Sequence, residues 1–485
     1  MKPKNNADKY NNKLCNNKMT FADCELAVLR HAVDETETKQ GIAKVNNQEV
    51  KHILLIIEDF IKKKKLMCYG GTAINNILPK HAQFYKRDLQ IPDYDFFSSN
   101  PIEDAKELAD IYFKNGYTEV EAKSGIHYGT FKVFVNFIPI ADITFLHPTI
   151  YKNISKDMIK INGIRYAPPN FLRMSMYLEL SRPDGDVSRW EKIVNRLNLL
   201  NKYHPIEAKE CANVKFNSNQ DSPLSDLNTT IRNILIDNDS VFFGGYSSYL
   251  YSKYMNEESK QIMSNISDFD VLAEDPKKMA TILIEQLKEN GYKHIKMIHR
   301  NEVGEIIPEH YEITIKGKSY VFIYKPIACH SYNEITIDKK VVKVASIETI
   351  LSFYLAFLYG DNKYYNHNRL LCMSNFLFDV IKQNRLSGKG ILKRFTIDCY
   401  GNQPTLEDMR SEKALKFKEF KDLKVDFDNK DYQMWFLKYT PSNKTSKCTK
   451  NNKKTKLTNK TKKIPSSIKS IKSKTLRNRL TEIFE

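Results

Sequence analysis

At 485 residues the chain is too long for one hydrophobic core, so two or three domains are expected, and a hydrophobic content of 41% is sufficient to fold them. Eight cysteines without C-x-x-C spacing argue against a zinc site and a disulfide framework, and the longest aliphatic run near the start, 53–57, is far too short to span a bilayer. The formal net charge of +18 is unevenly placed, because 442–479 holds fourteen Lys or Arg and no Asp or Glu, which leaves +4 elsewhere. No apolar signal region follows Met1, so the expectation is a soluble protein in a reducing compartment with no membrane partner.

Residues 1–19 are polar and Asn/Lys-rich and read as a lead-in, followed by a short helical pattern over 25–33. A stronger helix is expected over 48–65, where Val50, Ile53, Leu54, Ile57 and Ile61 recur at helical spacing and four lysines suit the negative end of the dipole. Residues 66–69 read as a strand entering the turn Gly70-Gly71, and 73–78 as a helix closed by Pro79. The glycines permit a tight turn and close approach of a ligand, while the Thr72 hydroxyl either meets phosphate oxygens or caps the helix. Beyond a polar loop at 81–90, Asp93 and Asp95 stand at i and i+2 of a strand and share a face, with Tyr94 and Phe96 turned to the core.

A helix over 102–114 ends at Asn115-Gly116, and two strands follow at 129–137 and 138–145. The second is apolar apart from Asp142. Burying a lone carboxylate is costly, so Asp142 is either an edge residue facing water or a third metal ligand beside Asp93 and Asp95. Helices over 170–180 and 187–200 flank a turn at 182–185. Around it Arg173, Arg182, Arg189 and Lys192 gather, either as a triphosphate clamp or as an ordinary surface paired to Glu179 and Glu191. Residues 205–227 read as a polar linker.

The chain then repeats itself. Val241-Phe242-Phe243-Gly244-Gly245 answers 66–71, Asp268-Phe269-Asp270 answers Asp93-Tyr94-Asp95, and Pro276 and Asn290-Gly291 answer Pro101 and Asn115-Gly116. Pro326-Ile327-Ala328-Cys329 aligns with Pro139-Ile140-Ala141-Asp142, which gives Cys329 the place of the third carboxylate. A neutral thiol is a poor ligand for magnesium, so the first half is expected to build a complete site and the second is not. Helices over 347–358 and 370–381 match the earlier pair. The basic tail reads as an electrostatic arm for a polyanion, or as the product of Lys-, Asn- and Ile-rich codon usage.

The Gly-Gly-Thr turn, the paired aspartates and the later strand aspartate resemble the nucleotidyltransferase superfamily of the DNA polymerase beta type. The duplicated layout and the stretches 69–77 and 142–148 resemble the poly(A) polymerase catalytic subunits of large cytoplasmic DNA viruses, giant-virus members more than poxvirus enzymes, over 48–385. That resemblance implies an α+β fold of two tandem nucleotidyltransferase-like domains, each a mixed sheet flanked by helices, the second degenerate, with a disordered basic tail. The corresponding boundaries are 1–47 (lead-in and helix), 48–204 (catalytic), 205–227 (linker), 228–385 (degenerate copy), 386–441 (C-terminal extension) and 442–485 (tail). It implies addition of AMP from ATP to the 3′ end of mRNA; the alternatives are another acceptor, of tRNA-end or second-messenger type, and a non-catalytic RNA-binding scaffold. Asp93 and Asp95 would hold two Mg2+ or Mn2+ ions and Asp142 the ion beside the 3′-hydroxyl. Gly70, Gly71 and Thr72, with Arg173, Arg189 and Lys192, would hold the nucleotide. The implied partners are ATP, an RNA 3′ end, and a second copy or a separate processivity subunit, in the host cytoplasm (viral factory) and the virion. One departure is the long interval between Thr72 and Asp93, which leaves the path of the 80–90 loop open.

Overall fold

The computed structural model describes residues 14–15, 18–86, 91–209, 211, 225–263, 268–360 and 365–442. Thr20 opens the first helix with a capping box, its hydroxyl accepting from the Asp23 backbone while Asp23 reaches back, and the helix then runs Phe21–Asn46 with no buried residue. It outlasts the expected 25–33 because regular apolar periodicity stops at Val33 but no proline follows, and the single Gly41 does not end it. Helix Gln48–Lys64 lies where the periodicity put it and buries Val50, Ile53, Ile56, Ile57, Phe60 and Ile61.

The strands are β1 (Met67–Cys68), β2 (Tyr94–Ser98), β3 (Val120–Ser124), β4 (Thr130–Val135), β5 (Ile138–Phe145), β6 (Ile159–Ile161) and β7 (Ile164–Tyr166). After them come β8 (Val241–Phe242), β9 (Phe269–Leu272), β10 (Ile295–Arg300), β11 (His310–Ile315), β12 (Lys318–Tyr324), β13 (His330–Ile337), β14 (Lys340–Ala345), β15 (Cys399–Tyr400) and β16 (Lys438–Tyr439). They form two mixed sheets, ordered β16-β3-β4-β5-β2-β1-β7-β6 and β10-β11-β12-β9-β8-β14-β13-β15. With the late edge strands β15 and β16 set aside, the two orders correspond strand for strand. Helices flank both sheets, so the fold is mixed α+β.

The halves meet through helices. Helix Pro169–Leu180 packs on helix Ile347–Phe357, every residue of which is buried, and the rings of Phe171 and Tyr359 meet edge to face at 5.3 Å. The described residues up to Pro441 belong to one compact unit. The tail expected to be disordered lies, from residue 443 on, outside the described residues.

The cysteines correct the sequence expectation. Cys15–Cys24, Cys211–Cys372 and Cys329–Cys399 are joined as disulfides, and only Cys68 is free among the described residues. Spacing motifs register neighbours along the chain, whereas two of these pairs are 161 and 70 residues apart and are brought together by the fold.

Candidate active site

The site is built where β1 runs into helix Gly70–Ile77 beside β2. The Tyr69 N–H donates to the Asp95 carbonyl at 2.9 Å, which locks the turn onto the carboxylate strand. Gly70 has φ +70°, and a Cβ there would stand 2.5 Å from Asp95 Oδ2; a left-handed backbone and a carboxylate against its Cα both demand glycine. Gly71 is covered instead by the Tyr85 hydroxyl and the Arg196 guanidinium, 2.5 and 3.0 Å from the place of its Cβ. Thr72 is buried and its hydroxyl donates to the Asp93 carbonyl at 2.6 Å. It ties the helix to the start of β2.

β2 and β5 run parallel with Asp95 opposite Asp142 in register. Asp93 stands one residue before β2. Tyr94 and Phe96 are buried, as their alternation with the aspartates requires. All three carboxylates converge electrostatically. Desolvation and then Asp142 push the Asp93 carboxyl up, against Lys132. Desolvation, Asp93 and Asp142 push Asp95 up to about 7, with Lys132 and Arg189 acting the other way. Two carboxyls, Asp93 and Asp95, pushed towards the neutral form by burial and by their neighbours suit a divalent cation, whose charge would remove the conflict. Asp93, Asp95 and Asp142 therefore fit a metal site, with hard oxygen donors and no sulfur among them.

The stand-in for that cation is Lys132. Its Nζ donates to Asp142 Oδ2 at 2.7 Å. Lys132 faces Asp142 because the hairpin register shifts between Val133 and Phe134, where Ile140, next to Pro139, is left without a partner. Proline has no N–H to give the ladder and favours such a bulge.

The cations expected near the turn separate into two groups. Arg173 is fully buried and donates to Asn170, Asn201 and the His204 carbonyl, and burial pulls its pKa down to about 10. It is a core arginine holding two helices, not part of a phosphate clamp. Arg182 pairs with Glu179. Arg189 and Lys192, by contrast, are exposed. Arg189 bears on Asp95, and Lys192 is held below its usual range chiefly by Arg196, then by burial and Arg189. Arg196 and Lys132 were not singled out from the sequence; a cation seven residues after Arg189, and a polar member of an alternating strand, were the available signals.

The second half repeats the geometry with other chemistry. The Phe243 N–H donates to the Asp270 carbonyl at 2.9 Å, and Gly245 N–H donates to Asp270 Oδ2 at 3.2 Å. β9 and β12 are parallel, and the residue opposite Asp270 is Phe322. Phe322, not Cys329, thus stands where the first half has Asp142; Cys329 lies beyond β12 and is paired with Cys399. The Pro-Ile-Ala string recurs, but hydrogen-bond register decides position. The cation on this pair is Arg369, whose guanidinium donates to both oxygens of Asp268, at 3.1 and 2.9 Å.

A glycine turn beside three convergent carboxylates on a mixed sheet can hold a divalent cation next to a phosphate-bearing ligand. Residues 55–186 match the family described as "Poly(A) polymerase catalytic subunit". A protein of African swine fever virus (strain Badajoz 1971 Vero-adapted), provisionally named a poly(A) polymerase catalytic subunit, is 34% identical over 169 residues, covering 34% of this chain and 35% of that protein. One of Acanthamoeba polyphaga mimivirus, named in the same way, is 30% identical over 213 residues, covering 43% of this chain and 35% of that one. These alignments span about a third of the length of the curated relatives. The crystal structure of the Megavirus polyadenylate synthase superposes with a TM-score of 0.69 and 23% identity, covering 84% of this chain and 86% of that one; the two share a fold.

Proposed function

We propose that the chain is a template-independent poly(A) polymerase that adds AMP from ATP to the 3′ end of mRNA. The observation that carries the reading is the convergence of Asp93, Asp95 and Asp142 beside the Gly70-Gly71 turn, inside the segment that matches the family. Two Mg2+ or Mn2+ ions held by these carboxylates would supply an activated 3′-hydroxyl and charge neutralisation on the triphosphate. The chain's own residues do the rest. Asp95 must surrender its proton before it can serve as a ligand. Thr72 and Tyr69 fix the turn to β2, so that Gly70 and Gly71 keep their place against the carboxylates. Arg189 and Lys192, with the N-terminal end of helix Gly70–Ile77, offset the negative charge of the triphosphate.

The second half, 228–385, is read as a degenerate copy of 48–204 that performs no chemistry: it offers two carboxylates, already neutralised by Arg369, and a phenylalanine in place of the third. RNA and ATP are the proposed partners, the host cytoplasm and virion the proposed locations, and a second copy or a processivity subunit the proposed assembly. No described helix is long and apolar enough to cross a membrane.

Primer extension with each nucleoside triphosphate in turn, beside Asp93→Ala, tests the reading. Extension by ATP alone that vanishes in the variant is expected. Addition of CTP as well, or joining of two free nucleotides, would move the protein to the tRNA-end or second-messenger type, and undiminished activity in Asp93→Ala would end the assignment.

A further inference from the structure

The best-made feature next to the carboxylates that the proposal above leaves unused is the small assembly over Gly71. Arg196 Nη1 and Nη2 stand 3.0 and 3.2 Å from where a Cβ on Gly71 would lie, one residue from the Gly70–Asp95 contact. Its guanidinium stacks over the rings of Phe84 and Tyr85, at 4.9 and 5.5 Å, and Nη2 donates to the Tyr85 hydroxyl at 2.7 Å. The two aromatic residues are fastened in turn. The side-chain oxygen of buried Asn75, on the helix that the Gly-Gly turn opens, accepts from the backbone N–H groups of Phe84 and Tyr85 at 2.9 and 2.8 Å.

Arg196 is also the third cation of a row. Arg189, Lys192 and Arg196 fall at i, i+3 and i+7, one side of helix Trp190–Tyr203 and its lead-in. Among the described residues none of the three has a carboxylate within ion-pairing distance, and Arg196 and Arg189 both act to hold Lys192 below its usual range. Three mutually repelling cations, one of them stacked and hydrogen-bonded into a single orientation, are a poor arrangement for a protein surface and a good one for a polyvalent anion. Five N–H donors in a planar fork suit phosphate oxygens in particular.

We propose that Arg196 grips the phosphates that leave as pyrophosphate, and that Tyr85 is a positioning residue that orients it. This rests on the polymerase reading above and deepens it. Gly71 is glycine, on this account, because the guanidinium and the tyrosine hydroxyl need the space over its Cα.

The test is equilibrium binding of fluorescent ATP and AMP to the full chain in EDTA, so that no metal contributes, for the unaltered protein, Arg196→Ala, Arg196→Lys and Tyr85→Phe. Arg196→Ala should weaken ATP at least about 10-fold and leave AMP and RNA-primer affinity unchanged, with Arg196→Lys recovering part of the loss. Tyr85→Phe keeps the stack and loses the hydrogen bond. It should raise KM for ATP about threefold in primer extension, with a smaller change in kcat. If Arg196→Ala weakens the RNA primer and not ATP, the residue serves the RNA and the proposal falls. It falls equally if ATP affinity is unchanged in both Arg196→Ala and Tyr85→Phe. If the unaltered protein binds no nucleoside triphosphate and extends no primer, the polymerase reading itself fails, a result distinct from either.

Discussion

Replacing Asp95 by asparagine should make the protein more stable in EDTA and, on the proposed function, abolish primer extension. The carboxyl is pushed from 3.8 up to about 7 by desolvation and by Asp93 and Asp142. An acid whose pKa is raised by folding is favourable below its unfolded value and loses that advantage as pH rises through the folded one. Three units at about 1.4 kcal/mol each set an upper bound of about 4 kcal/mol. Water entry and side-chain relaxation reduce this to ~1–2 kcal/mol. In EDTA at pH 8, Asp95→Asn should therefore melt about 2–5 °C above the unaltered protein. The gap should narrow as pH falls towards 5, where the native carboxyl is already protonated. Primer extension with magnesium should drop roughly 10³-fold or more. An equal or lower melting temperature at pH 8 would show that the three carboxylates do not oppose one another as described.

Four further outcomes follow from the same geometry. Metal binding should strengthen as pH rises through 7, and Lys132→Met, which removes a cation that steadies Asp93 and Asp95, should move that profile to higher pH; calorimetric titration with Mn2+ reads it. Gly70→Ala, strained in φ and overlapping Asp95, should cost ~1–3 kcal/mol and most of the activity, measured by denaturant unfolding and primer extension. Arg369→Met should cost about 3–5 kcal/mol by leaving Asp268 and Asp270 without their cation, and Asp268→Asn in the same chain should return part of it. Truncation after Ser442 should flatten the salt dependence of RNA binding more than it slows the chemical step; an unchanged slope would free the tail of any role in RNA.

The strand aspartates were legible because alternation fixes which side chains share a face, and helices such as Gln48–Lys64 because their apolar residues keep the helical period. The partner of Asp142 was not. Counting back from the Asn136-Phe137 hairpin places Lys132 opposite Ala141, and only the bulge at Ile140, next to Pro139, moves it to Asp142. The third position of the second half was misread for a related reason: a recurring Pro-Ile-Ala string outweighed register, and register belongs to hydrogen bonds between strands. Arg173 carried no mark in the sequence to separate a core arginine from a clamp, because the three groups that absorb its donors come from 170, 201 and 204.

Phe322 and Arg369 also set what it would take to build a metal site in the second half. An aspartate placed at 322, opposite Asp270, would set three carboxylates around a single guanidinium, and removal of Arg369 alone would strand two. Each change is expected to be harmful without the other, so the two positions are coupled and a laboratory attempt would have to change both together. It would still leave metals to enter where the chain now keeps its own cation.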